Sequence, residues 1–165
     1  MAKSEKKILI IQDSREQTPF DFDEFDFDVE VGTLPHGDYS VKYPKLQDLL
    51  VVERKTLADF VACCGRERDR FERELQSLRG YKLAYVIGEF NLKQVFNHEY
   101  RSEISPNSVL ASIARWSSNG IRFLFCDDHE IASYVSGKIL QFTALNWIEL
   151  ARCRVAADRD EGTNV

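Results

Sequence analysis

A chain of 165 residues, 44% hydrophobic and 12% aromatic, has the length of one domain and enough apolar side chain for a packed core, so it should fold alone. Its formal charge of −5 argues against a protein that grips nucleic acid by bulk electrostatics, because phosphate affinity comes largely from Lys and Arg. Six of the acids, however, lie between Asp21 and Glu30, and Asp158, Asp160 and Glu161 lie near the end, which leaves the middle of the chain near balance and room there for a local basic surface.

The first apolar run, Ile8 to Ile11, is too short for a signal peptide or a membrane span, so neither export nor insertion is expected. Lys7 to Gln12 reads as a central strand that ends by presenting Asp13. From Phe25 to Val31 the alternation is strict, with Phe25, Phe27, Val29 and Val31 on one face and Asp26, Asp28 and Glu30 on the other, which predicts a half-buried strand. Pro35, Gly37 and Asp38 mark a turn, Tyr39 to Tyr43 returns as a strand, and Leu49 to Lys55 follows, so this part reads as a meander.

Helix begins after Lys55, with Thr56 as N-cap and Asp59 three residues on. A second helical stretch from Arg70 to Leu78 places Phe71, Leu75 and Leu78 on its apolar face, and Leu83 to Ile87 follows as a buried strand. Ser105 and Pro106 start a helix that runs through Trp116, Ile121 to Cys126 is the last strand, and an amphipathic helix runs from His129 to about Leu150. Residues 1–150 thus form one domain, and 151–165 read as a polar, frayed tail. The order implies an α/β fold with a mixed sheet between helices and room for a cleft at the sheet edge. The four cysteines, at 63, 64, 126 and 153, have neither zinc-site nor disulfide-framework spacing and read as reduced thiols of a cytoplasmic protein.

The two-residue period of Leu50-Val51-Val52-Glu53-Arg54-Lys55 sets Glu53 and Lys55 on one face and Arg54 on the other. A hairpin-like return would bring Asp38 beside Glu53, so that two carboxylates and a lysine converge. That trio suits phosphodiester hydrolysis: one or two carboxylates hold Mg²⁺, which keeps water and phosphate oxygens as its other ligands, polarises the phosphate and acidifies water. Lys55 would orient the water or neutralise the transition state. From spacing alone, Glu53 and Lys55 equally describe an ion pair on an edge strand, and Asp13 is either a third carboxylate of the site or a turn cap.

Asp13-Ser14-Arg15-Glu16, Gly37-Asp38-Tyr39 and Val52-Glu53-Arg54-Lys55 followed by Asp59 together resemble the motifs of the XPF-type structure-specific endonucleases. Gly65-Arg66-Glu67-Arg68, Arg70-Phe71-Glu72-Arg73-Glu74-Leu75, Tyr100-Arg101-Ser102 and Pro106 to Ser112 look like the stand-alone bacterial and phage branch, so the resemblance spans roughly residues 8 to 145. It implies a restriction-endonuclease-like core of the PD-(D/E)XK type, Mg²⁺ dependence with Mn²⁺ as a substitute, and cutting of branched, flap or fork DNA in repair, recombination or replication, leaving 5′-phosphate and 3′-hydroxyl ends. By motif position Asp13, Asp38 and Glu53 would bind metal, Asp38, Glu53 and Lys55 would be catalytic, and Arg54 and Asp59 would brace them. No helix-hairpin-helix domain is expected after the core, so the grip on DNA must come from the core, a homodimer through the C-terminal helices, or a targeting protein. The implied place is the cytoplasm, at the nucleoid of a bacterial or phage-infected cell. The alternative is a non-catalytic DNA-binding or scaffold subunit, against which intact Asp38, Glu53 and Lys55 speak.

Candidate DNA contacts are Arg15, Arg66, Arg68, Arg70, Arg101, Asn107 and Ser108; Arg66 and Arg70, with Arg73, sit at helical spacing away from the apolar stripe, where i,i+4 pairs on a solvated helix are the plainer reading. Asn107 and Ser108 offer donors at a helix start. Trp116 and Trp147 read as core or dimer-interface residues, His36 as an exposed turn residue, and Glu89 either as a further member of the site or as a capping or solvent-facing acid.

Overall fold

The computed structural model describes residues 7–43 and 45–161, with side chains through Cys153. In chain order the elements are β1 (Ile8–Asp13), β2 (Phe27–Gly32), β3 (Tyr39–Val41), β4 (Leu50–Lys55), α1 (Leu57–Cys64), α2 (Arg68–Leu78), β5 (Leu83–Glu89), α3 (Leu92–Phe96), α4 (Pro106–Ser117), β6 (Arg122–Cys126) and α5 (His129–Glu161). The strands form one six-stranded sheet in the order β2-β1-β3-β4-β5-β6. β1 pairs with β2 in parallel, β3 is antiparallel to both β1 and β4, and β4, β5 and β6 are parallel. The expected mixed α/β sheet between helices is therefore present, and the carboxyl ends of β1, β4, β5 and β6 share one edge with the start of β3.

Alternation along β4 assigns its side chains to two cores. Val51 joins Phe60, Phe71, Val86 and Trp116 under α1, α2 and α4, while Leu50 and Val52 join Ile10, Tyr39, Ile87 and Leu140 under α5. Phe60 and Phe71 are fully buried, and each such side chain contributes about 2–3 kcal/mol by leaving water. Thr56 caps α1 by accepting from Asp59 N, and Ser105 caps α4 with Pro106 in its first turn, as the sequence predicts.

Four expectations need correction. The stretch from Phe25 to Lys55 is not a meander, because β1 inserts between β2 and β3 and only β3 and β4 pair as neighbours in sequence. β2 is an outer strand: its first residue, Phe27, joins the core under α5, but Val29 and Val31 are 46% and 62% exposed. The final helix continues past Leu150 to Glu161, through the segment expected as a frayed tail; Ala151 to Glu161 has no Gly or Pro, so nothing in it stops a helix once the apolar periodicity fades. α3 went unforeseen, although Asn91 and Gln94 form a complete capping box at its start. No helix among the described residues is long and apolar enough to cross a membrane, and Cys63, Cys64, Cys126 and Cys153 are all free.

Candidate active site

Asp38 is placed by its backbone. Its N–H donates to Val52 O of β4 at 2.8 Å, and its carbonyl accepts from Asp13 N of β1 at 2.7 Å, so it bridges the two strands at the sheet edge. Gly37 makes this approach feasible: its φ is +75°, and a Cβ there would lie 2.2 Å from Val51 Cγ2 and 3.1 Å from Val52 O. The Asp38 carboxylate then accepts from Arg54 N through Oδ2 at 2.7 Å.

On the α2 face of β4, Glu53 is 4% exposed and hydrogen-bonds Lys55 Nζ. Lys55 Nζ also lies 3.7 Å from Glu74 Oε1 of α2 and 5.3 Å from the Phe71 ring centroid. Burial raises Asp38 to about 6 against the pull of the Arg54 N–H. Burial, and then the nearby Asp38 charge, raise Glu53 well above the usual carboxylate range, with Glu74 adding to the rise and Lys55 opposing it. Burial works against the charge on Lys55, but Glu53 and Glu74 outweigh it and push the ammonium above its ordinary value.

Three carboxylates thus face one ammonium in a largely buried corner, a charge deficit that a divalent cation matches. Among the described residues no three His, Cys, Asp or Glu side chains are arranged as a ready metal cage. A cation here would take protein oxygens from Asp38 and Glu53 and fill its remaining positions with water and phosphate, the habit of Mg²⁺. The residues present fit the ion.

Arg54, on the opposite face, meets a different environment. It donates to Glu89 through Nε at 2.6 Å and Nη2 at 3.0 Å, and to Glu16 through Nη1 at 3.2 Å. Glu89 Oε1 also meets His129 Nδ1 at 2.5 Å, which ties the first turn of α5 to the end of β5. Glu89 therefore belongs to the face of Arg54 and does not join Asp38 and Glu53.

Asp13 is 1% exposed, and both its carboxylate oxygens are engaged: Oδ1 accepts from Arg15 N and Nε, Oδ2 from Arg15 Nη2 and Leu34 N. The Arg15 side chain holds Asp13 down at about 2. Asp13 thus fixes the loop that leads to Gly37, each of its oxygens already accepting from Arg15 or Leu34 N. Asp59 accepts from Thr56 Oγ1 at 2.7 Å and acts in the cap of α1, with no contact to Lys55 among the described interactions.

The candidate DNA contacts divide. Arg68 is committed to Ser112, Glu72 and the Trp116 ring and serves packing. Arg15 is committed to Asp13 and Leu34 O, although its side chain is 67% exposed. Arg70 pairs with Glu67 rather than four residues on with Glu74, while Arg68 and Glu72 do form an i,i+4 pair. Arg66, Arg101, Asn107 and Ser108 are exposed. Trp116 is core, Trp147 packs against the core beneath α5, and His36 is exposed, its ring edge-on to Tyr81.

Sequence reasoning gave no role to Glu74, Glu16 or His129. Glu74 was legible in principle, because three residues after Phe71 and next to Leu75 it borders the inward stripe of α2. No sequence signal joins His129 to Glu89, forty residues earlier.

A family model of the ERCC4 domain matches residues 12–137. No curated protein matches the chain in sequence. Among solved structures, XPF from Aeropyrum pernix superposes with a TM-score of 0.66 at 20% identity, covering 92% of this chain and 73% of that one. The same protein in complex with DNA superposes with a TM-score of 0.67 at 23% identity, covering 85% of this chain and 66% of that one. The fold is thus that of the XPF nuclease, and with most of its length under the family match, this chain belongs to the ERCC4 domain family of nucleases.

Proposed function

We propose that the protein is a metal-dependent DNA endonuclease that hydrolyses phosphodiester bonds of branched, flap or fork DNA. The observation that carries this reading is the convergence of Asp38, Glu53 and Lys55 at one sheet edge, with more buried carboxylate than local positive charge can balance. Asp38 and Glu53 would hold Mg²⁺, or Mn²⁺ in its place, which when bound would supply Lewis acidity at the scissile phosphate and a more acidic water. Lys55, kept charged by its two carboxylate neighbours, places fixed positive charge where the phosphorus oxygens gain negative charge. Arg54 holds the strand from behind, and Asp13 with Arg15 holds the loop that delivers Asp38. Arg66, Arg70, Arg101, Asn107 and Ser108 bind phosphate on the surface around α2 and α4.

Phe142, Leu145 and Leu150 on α5 are 58%, 47% and 57% exposed, beside a cleft of about 590 Å³ that Trp147 and Leu46 help to line. That apolar surface supports a homodimer through α5, which sedimentation at graded concentration would detect. The decisive test of function is cleavage of labelled duplex, single-stranded, flap and fork DNA with Mg²⁺, Mn²⁺ or EDTA, comparing wild type with Asp38→Asn. Metal-dependent cutting by wild type alone supports the reading, with flap or fork cut fastest. DNA binding with no cutting under any metal would sink it in favour of a scaffold subunit.

A further inference from the structure

Glu53 carries two duties that conflict. It is the main anion on Lys55 Nζ, and under the proposed function it is also a ligand of the divalent cation. An oxygen that turns its electron density to a divalent cation is a weaker acceptor for an ammonium, and the cation itself repels that ammonium. Lys55 sits on a flexible four-carbon stem that does not hold its own position. Something else must keep it there when Glu53 is committed.

The structure offers one group placed for this. Glu74 Oε1 lies 3.7 Å from Lys55 Nζ, on the side chain's helical neighbour α2 rather than on the strand. α2 is pinned to the core through Phe71, Leu75 and Leu78, all nearly fully buried, so the Glu74 backbone is rigid. The alternative partner on its own helix, Arg70, is engaged by Glu67 at 2.5 Å, so Glu74 is turned to the Lys55–Glu53 pair. The Phe71 ring closes the remaining side of the ammonium at 5.3 Å.

We infer that Glu74 is the positioning residue of the site: it takes over Lys55 when Glu53 binds the cation, and so keeps the ammonium aimed at the scissile phosphate. This rests on the metal-dependent reading above, but its test does not require cleavage. The probe is acetylation of the full chain by acetic anhydride, read by mass spectrometry at Lys55 against exposed Lys93, without DNA, in EDTA and in Mg²⁺. Wild type should protect Lys55 in both. Glu74→Gln should keep that protection in EDTA, where Glu53 still holds the ammonium, and lose it in Mg²⁺, with labelling about tenfold faster, the scale of one lost partly buried ion pair.

In cleavage, Glu74→Gln should lower kcat by about 10- to 100-fold with KM for DNA within about twofold. In a Lys55→Met background it should add nothing further, since the residue it positions is gone. Protection in Glu74→Gln that ignores Mg²⁺, or losses from Glu74→Gln and Lys55→Met that simply multiply, would overturn the inference. Glu74→Ala is read in the same way, so a fold lost with one variant does not decide the matter. Failure of wild type to cut DNA with any metal defeats the nuclease reading instead, and the footprint separates the two.

Discussion

Two neighbouring residues of β4 face opposite sides of the same sheet and live in opposite electrostatic conditions. Arg54 is wrapped by Glu16 and Glu89, with His129 beyond them, and its donors are satisfied with short, aligned bonds. Glu53 is buried and crowded by Asp38 and Glu74, with Lys55 as the cation that contacts it, and its charge is disfavoured. The first arrangement is closed and stabilises the fold; the second leaves carboxylate charge uncompensated, which under the proposed function a cation would balance. A protein confined to maximising stability would not bury the second group, and this contrast separates scaffold from chemistry within a single tripeptide.

Substitution on each side should break the contrast in a different observable. Glu53→Gln should lower kcat by at least about 10³-fold, roughly 4 kcal/mol, while leaving the urea midpoint of the metal-free protein unchanged or raised, because a neutral amide no longer repels Asp38. Equal cutting by this variant would remove Glu53 from the chemistry. Arg54→Ala should do the reverse in urea titrations, costing about 3 kcal/mol of stability by leaving Glu16 and Glu89 buried without their cation. A stability change below about 0.5 kcal/mol would mean the network is ornamental.

The turn that joins the two sides is the next point of leverage. Gly37→Ala forces a Cβ into φ +75° and against Val51, and should cost about 2 kcal/mol while moving Asp38 off its two strand contacts. Activity should fall more steeply than stability, since a small displacement of Asp38 separates it from Glu53. Comparing the variant's unfolding midpoint with its kcat at a temperature where it is fully folded tests that order. Loss in parallel would show that Asp38 tolerates movement.

Much of this was legible in the sequence because it rests on short-range geometry. The two-residue period of β4 alone put Glu53 and Lys55 together and Arg54 behind them, and the Gly37-Asp38 turn ahead of a returning strand located the second carboxylate. Thr56 and Ser105 announced their helices through cap chemistry that needs no tertiary partner. What stayed hidden required distant chain. β2 read as a half-buried strand from its alternation, and nothing local told that Val29 and Val31, on the expected inner face, would stay exposed. Asp13 stood at a strand end, but its bonds from Arg15 and Leu34 N, which tie it to the loop ahead of Gly37, appear only once that loop is closed. Glu74 read as a surface acid of an amphipathic helix until α2 was laid against Lys55.

The smallest expected effect is also the one that isolates a single proton. Asp38 is raised from 3.8 to about 6 in the folded protein, so between those values the native state holds a proton that the unfolded state has lost. Stability of the metal-free protein should therefore fall as pH rises from about 4 to 6, by about 1–2 kcal/mol once contact with solvent is allowed for. Asp13 has the opposite sign: held at about 2 by Arg15, it adds stability above about 4 that is lost as pH falls toward 2, so the two groups act in separate windows. Urea titrations at half-unit steps in EDTA should show the decline, Asp38→Asn should reduce it, and Mg²⁺ should offset it by binding the folded carboxylates. Because Glu53 is raised in the same direction, the residual slope in Asp38→Asn reports Glu53, and Mg²⁺ acting on that slope as well would place both carboxylates on one ion. A slope that Asp38→Asn leaves untouched would assign the whole of it to Glu53 and reduce Asp38 to an anchor for the turn.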